Sequence, residues 1–350
     1  MSPATQPNPG PHLRVVAIGG GTGLSTLLRG LKRYVATPPG TLPPSDSQCK
    51  TTPCTIRDLA AIVTVTDDGG SSGRLREDFK MLPPGDVRNC MVALSEDELL
   101  LSRLFQFRFT HGDLEGHSFG NLFLAALSHI TGDFAQAVQM SSQILATRGI
   151  IYPATNTDVT LAALMDDGSL VRGETNITAS RQRIVQLMLE PAKVDPLPGV
   201  LEAISRADLI TVGPGSLYTS LITNLLVQGI PEALAGSRAT RVYVCNLMTQ
   251  ANESLGLTAS QHIEKILTHA GATRTPIFDY ALINTAPISP TLLEQYAREG
   301  QQPIEPDLDR IRELGVEPIT GNFLHEGDVL RHDYDKVTDR LLQLALTHKK

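Results

Sequence analysis

Four short runs in this 350-residue chain combine glycines, hydroxyls and carboxylates in a way that suits phosphate chemistry. The first is Gly19-Gly20-Gly21-Thr22-Gly23. Glycine permits positive φ and lets a ligand approach the backbone closely. A helix that follows offers unpaired N–H groups at the positive end of its dipole. A phosphate or pyrophosphate fits that combination. The run is not a dinucleotide fingerprint, because Leu24 stands where the third glycine of G-x-G-x-x-G belongs. Nor is it a P-loop, because no lysine precedes Ser25.

The second run is Thr66-Asp67-Asp68-Gly69-Gly70-Ser71-Ser72-Gly73-Arg74. Two adjacent carboxylates, followed by a donor-rich loop, can accept from a ribose, hold Mg²⁺ with phosphates, or act as a base. Arg74 can neutralise charge on such a ligand. The third, Pro83-Pro84-Gly85-Asp86-Val87-Arg88-Asn89, places Asp86 as a helix N-cap, with Arg88 and Asn89 in the first turn facing an anion. The fourth, Gly213-Pro214-Gly215-Ser216, repeats the physics of the first turn, and Asn246 ends a later strand. His117 and Asn121 stand one helical turn apart and can point into the same cleft. No G-x-S-x-G elbow occurs, so no residue is assigned a catalytic role. No metal ligand is assigned either, since the cysteines lack the tight spacing of a zinc site.

These runs need elements to hold them. Leu13 to Ile18 reads as a buried strand, and Leu24, Leu27, Leu28 and Leu31 follow at helical spacing. Further strands are predicted at Leu59–Val65, Leu209–Val212, Arg241–Cys245 and Phe278–Ile283. Helices are predicted at Asp86–Phe109, His117–Ile130, Val200–Ala207, from Leu217, and at His262–Ala270, Pro290–Arg298 and Asp335–Leu346. This alternation predicts an α/β fold: a doubly wound, mostly parallel, Rossmann-like sheet with ligands bound beyond the carboxyl ends of its strands. Val159–Met165 and Leu170–Thr175, joined by Asp166-Asp167-Gly168, predict a hairpin, a small antiparallel excursion within a subdomain at 148–195. Residues 13–350 are expected to form a single ligand-binding domain, with 1–12 a disordered tail and 37–58 an exposed Pro/Ser/Thr-rich insertion.

Composition narrows the function further. Apolar residues make up 41% and charged residues 19%, which is a globular balance. A net charge of -7 and the lack of tryptophan argue against a nucleic-acid partner. The longest charge-free run, Leu209 to Pro231, is broken by glycines and prolines, so no membrane insertion is expected. The start of the chain lacks the apolar core of a signal peptide. Cys49, Cys54, Cys90 and Cys245 are expected as free thiols of a reducing compartment.

Taken together, the Ala17–Ser25 run, the Val63–Arg76 run, Pro83–Asn89, Gly116–Leu122 and Gly213–Ser216 resemble the YvcK family of bacterial gluconeogenesis factors. The resemblance implies a cytoplasmic protein required for cell shape and peptidoglycan wall synthesis during gluconeogenic growth. It implies a nucleotide sugar as ligand, of the UDP-N-acetylglucosamine type, and regulation of an unidentified protein partner without turnover. The family is distantly similar to 2-phospho-lactate transferases, which use Mg²⁺. The competing expectation is therefore a Mg²⁺-dependent transferase. A homodimer is expected by analogy only.

Overall fold

The computed structural model describes residues 12–36, 54–96, 100–271 and 277–348. Strand β1, Leu13–Gly19, is built from apolar residues on both faces and all but Arg14 are buried. That pattern belongs to the centre of a sheet covered on both sides. Its neighbours are β2 (Ile56–Val63) and β7 (Leu209–Val212), both parallel to it, in registers that align Ile18 with Ile62 and with Val212. Beyond β2 lies β3 (Ile150–Pro153), and beyond β7 lie β8 (Thr240–Val244), β9 (Tyr280–Asn284) and β10 (Glu317–Gly321). The seven strands run in the order β10-β9-β8-β7-β1-β2-β3, and every pairing is parallel.

The order reverses at β1. From there the chain moves one way through β2 and β3, and later the other way through β7 to β10. The crevice between the carboxyl ends of β1 and β7 is therefore the topological switch point, where open α/β sheets bind ligands. Both ends carry a glycine turn.

Helix α1, Gly21–Lys32, leaves β1 at once. Leu24, Leu27, Leu28 and Leu31 are buried by their helical spacing, and each such burial stabilises by about 1.5–3 kcal/mol. On its other side α1 packs closely on the C-terminal helix Tyr334–His348. A Cβ on Gly30 would lie 2.3 Å from Thr338 Oγ1. Helices α2 (Gly70–Phe79) and α3 (Gly85–Leu94) follow β2.

The predicted hairpin is β4 (Thr160–Met165) with β5 (Leu170–Arg172), and a third antiparallel strand, β6 (Ile184–Glu190), completes a small sheet. A second small pair joins β11 (Leu324–Glu326) to β12 (Leu330–His332).

Several bounds differ from expectation. β2 begins at Ile56, inside the span assigned to the insertion, because Ile56 is buried opposite Leu13. The helix predicted from Asp86 to Phe109 ends at Leu94, and a separate one runs Leu101–Gln106. The hairpin's second arm turns helical at Glu174–Ala179. The rest of the insertion up to residue 53, and the tail up to residue 11, lie outside the described residues. Cys54 is disulfide-bonded, which corrects the free-thiol expectation for it, while Cys90 and Cys245 are buried free thiols. Cys54 sits in an irregular segment from which a thiol can reach a partner.

Candidate functional site

The first glycine turn meets the cleft with backbone. Gly20 is the extended N-cap of α1, no side chain caps the helix, and Gly21 takes φ +60. Of the orphan N–H groups at this terminus, that of Gly21 donates to Asp86. Thr22 and Gly23 line the cleft, where their N–H groups face an incoming anion at the positive end of the helix. Gly23 is glycine for another reason as well: a Cβ there would sit 2.4 Å from the carbonyl oxygen of Pro214. The two glycine turns are in contact.

The second turn does not repeat the physics of the first. Asn246 clamps it, accepting from Gly215 N at 3.2 Å and donating to Gly215 O at 2.7 Å. Gln250 donates to Ser216 Oγ at 2.9 Å. The π-helical turn Leu217–Ile222 that follows already has a carboxyl group at its start. The buried carboxylate of Glu253 accepts from Tyr218 N at 3.3 Å and from Thr219 Oγ1 at 3.2 Å. Burial pushes the Glu253 carboxyl up, against the pull of those donors. The turn's role is thus to shape the wall, with its helix end filled from within.

The Thr66–Arg74 run is split between separate tasks. Asp67 Oδ1 accepts from Gly69 N at 3.0 Å in a local turn. Asp68 points away, to the small sheet's helix, accepting from Thr175 N at 2.8 Å and Thr175 Oγ1 at 2.6 Å. Gly69 is the N-cap of α2, and Gly70, Ser71, Ser72 and Gly73 form its first turn, so the expected loop is helical. Ser71 Oγ contacts His117 Nδ1 at 3.0 Å and accepts from Asn121 Nδ2 at 3.1 Å. His117 lies just before its helix, yet it joins Asn121 through Ser71. Burial and the nearby Arg74 hold the His117 imidazole below its ordinary range. Arg74 donates to Glu115 O at 2.8 Å, and Arg88 to Asn89 Oδ1 at 2.7 Å.

Carboxylates crowd the end of β2. Burial and the charge of Asp67 push Asp86 up to about 7. Burial, Asp67 and Asp86 push Glu174 up to about 9, and Thr66 Oγ1 donates to Glu174 at 3.4 Å. Asp86 links this acidic zone to the glycine turn, since a Cβ on Gly20 would lie 2.7 Å from Asp86 Oδ2. Among the described residues, no group of three or more His, Cys, Asp or Glu is placed to hold a metal ion by itself.

The cleft itself has a volume of about 330 Å³ and opens at the switch point. Thr22, Gly23 and Pro214–Ser216 form its floor, and Asn246 and Gln250 one wall. Tyr296, Arg331 and His332 close the far side. His332 Nε2 donates to Cys245 O at 3.0 Å, and since a carbonyl only accepts, Nε2 carries the proton. Burial pushes this imidazole down to about 4. Glycine spacing could mark the floor in the sequence. Nothing local marks Glu174, Glu253, Gln250, Tyr296 or Arg331, which topology alone brings here.

This arrangement has known relatives. A family model described as 2-phospho-L-lactate transferase CofD matches residues 15–324. The chain belongs to the CofD family. Within it, the chain is 47% identical over 331 residues to a gluconeogenesis factor of Halalkalibacterium halodurans, covering 94% of this chain and 95% of that one. It is 44% identical over 333 residues to the gluconeogenesis factor of Bacillus subtilis, covering 95% and 98%. A crystal structure of a Bacillus halodurans protein superposes with a TM-score of 0.86 at 47% identity, over 94% of this chain and 99% of that one. The CofD-family match spans both glycine turns and the acidic zone, in agreement with the resemblance read from the motifs. Among the described residues no helix is long and apolar enough to cross a membrane.

Proposed function

We propose that this chain is a nucleotide-sugar-binding regulator of the gluconeogenesis-factor type, with a ligand such as UDP-N-acetylglucosamine, acting in the cytoplasm on cell shape and wall synthesis. The observation that carries the reading is the cleft at the β1/β7 switch point. It joins a helix N-terminus, where Asp86 holds only the Gly21 N–H and those of Thr22 and Gly23 are left for a ligand, to a polar wall and an aromatic far side. A diphosphate suits the Thr22 and Gly23 N–H groups, and Asn246, Gln250 and Tyr296 suit the uncharged ends of such a ligand. The clamped second turn and the internally filled helix end favour holding a ligand over transforming it.

Mg²⁺ enters as a partner of the ligand's phosphates. Asp67 makes no salt bridge within hydrogen-bond reach among the described residues, feels the Arg88 guanidinium only at longer range, and lies beside the raised carboxyl of Asp86. A divalent ion that keeps several waters and one or two carboxylates suits that donor set. Ligand binding then biases contact with a protein partner, in a chain that forms a homodimer.

Calorimetric titration of the full chain with UDP-N-acetylglucosamine, with and without Mg²⁺, tests this, followed by product analysis. Saturable binding of intact ligand, lost in Gly21→Val, is expected. A ligand converted to product points instead to a Mg²⁺-dependent transferase of the 2-phospho-lactate type, and absence of binding removes the nucleotide-sugar reading.

A further inference from the structure

The cleft does not end at Arg331 and His332. Together with Thr26, these two residues also line a second chamber of about 480 Å³, whose other walls are Arg29, His325, Asp333, Tyr334 and Asp335. The chamber continues from the cleft along α1. Thr22, Thr26 and Arg29 stand at i, i+4 and i+7, so one face of the helix leads from the open N-terminus to the Arg29 guanidinium. The rise from Thr22 to Arg29 is about 10 Å.

The charges of this chamber differ in what they are already bound to. Asp335 accepts from Arg33. Asp333 accepts from Lys336, through the backbone N–H and the ammonium, each at 3.1 Å. Arg29, in the last turn of α1, and Arg331, on β12, have no carboxylate partner among the described residues, and both are exposed to the chamber's solvent. The acids are neutralised and the guanidiniums are not. Two guanidiniums from different elements, opening on one space, present a set of N–H donors that matches an oxyanion.

We propose that this chamber is an anion subsite, and that it takes a carboxylate or phosphate group carried at the distal end of the cleft's ligand. The preferred ligand class is then a nucleotide sugar with an acidic glycosyl part, its diphosphate at Thr22 and Gly23 and its acid at Arg29 and Arg331. The proposal rests on the nucleotide-sugar reading for where the diphosphate lies. The subsite itself rests only on the two unpaired arginines. A separate small anion offers the same chemistry.

The test compares UDP-glucuronate with UDP-N-acetylglucosamine by calorimetry on the full chain, and on Arg29→Gln, whose exposed side chain makes no hydrogen bond or ion pair with the described residues. The acidic sugar is expected to bind about tenfold more tightly to the wild type, and Arg29→Gln to lose that preference while keeping the neutral ligand within about twofold. Equal or weaker binding of the acidic sugar to the wild type, or a preference retained in Arg29→Gln, overturns the distal acid. If neither nucleotide binds, the nucleotide-sugar reading has failed, and titration with inorganic phosphate decides the subsite separately. Phosphate binding that weakens in Arg29→Gln assigns the chamber to a separate anion. No phosphate binding, or binding indifferent to the variant, overturns the subsite.

Discussion

The Pro214 carbonyl oxygen stands 2.4 Å from where a Cβ on Gly23 would project, so the two glycine turns bear directly on each other. A methyl group at this point must part them. Gly23→Ala is expected to cost about 1–3 kcal/mol of stability and to open the floor of the cleft, abolishing ligand binding. Gly21→Ala has space around it, with no atom nearer than 3.9 Å, and pays only for its positive φ, about 1–2 kcal/mol. Thermal melts and calorimetry of the two variants check this. Binding retained in Gly23→Ala would show that the turns are free to separate.

The acidic zone sets a pH dependence whose sign is fixed. Asp86, pushed up to about 7, and Glu174, pushed up to about 9, hold protons more tightly when folded. Unfolded carboxyls titrate near 4. Stability therefore falls as pH rises from about 4 to 7 through Asp86, and onward to 9 through Glu174. His332 acts in the opposite sense. Its folded value of about 4 lies below the ordinary 6.5, so its contribution is complete above 6.5 and lost as pH falls through 4. Two carboxyls falling outweigh one imidazole rising over the same range, so denaturation across pH is expected to show its maximum near pH 4 and a decline from there to 9. Asp86→Asn, which still accepts from Gly21, should gain on the order of 1 kcal/mol at pH 8, and Glu174→Gln should flatten the limb that reaches pH 9. Slopes unchanged in both variants would remove the carboxylates as its cause.

Asp67 and Asp68 are neighbours with different work. Asp68 holds Thr175 N and Oγ1 and so supplies, from 107 residues away, the cap that Gly173 cannot give its own helix. Asp68→Ala is expected to cost about 1 kcal/mol and to speed amide hydrogen exchange across Glu174–Ala179. Asp67→Asn should leave that exchange as it is and remove the effect of Mg²⁺ on ligand affinity. Mass-resolved exchange on both variants separates them, and equal acceleration in the two would refute the division.

Much of this fold is legible in the residues. The run from Leu13 to Leu31 announces strand, turn and helix because a doubly buried strand and a 3.6-residue period are both strong signals. The helix Pro290–Arg298 and strand β7 have the bounds expected of them. The start of β2 is concealed by Arg57 and Asp58, which are exposed within the strand. β3 and β10 are short edge strands paired on one side only, and Pro153 and Pro318 blur them further. At the site the glycines are visible but their reasons are only half so. Gly23 answers to Pro214, nearly two hundred residues on, and no window of sequence contains both. Glu253 filling the second helix end is hidden for the same cause, as is the reach of Asp68 to Thr175. Residues that act through proximity alone carry no periodic trace.

The place of β7 beside β1 has a consequence in time. Val15 pairs with Leu209, so the strand that completes the crevice is made long after the glycine turn that begins it. During synthesis the first turn, α1 and the Asp67-Asp68 strand end emerge early, with one side of β1 still bare. That edge is apolar and unpaired until Leu209–Val212 leaves the ribosome and docks. Ligand cannot assist the first half of folding, because the floor it would rest on includes Pro214. A growing chain is therefore blind to its ligand for most of its synthesis, and competence to bind arrives only once β7 and β8 are in place. A nascent fragment stopped before Leu209 exposes a ready site for wrong pairing with its neighbours on the same message.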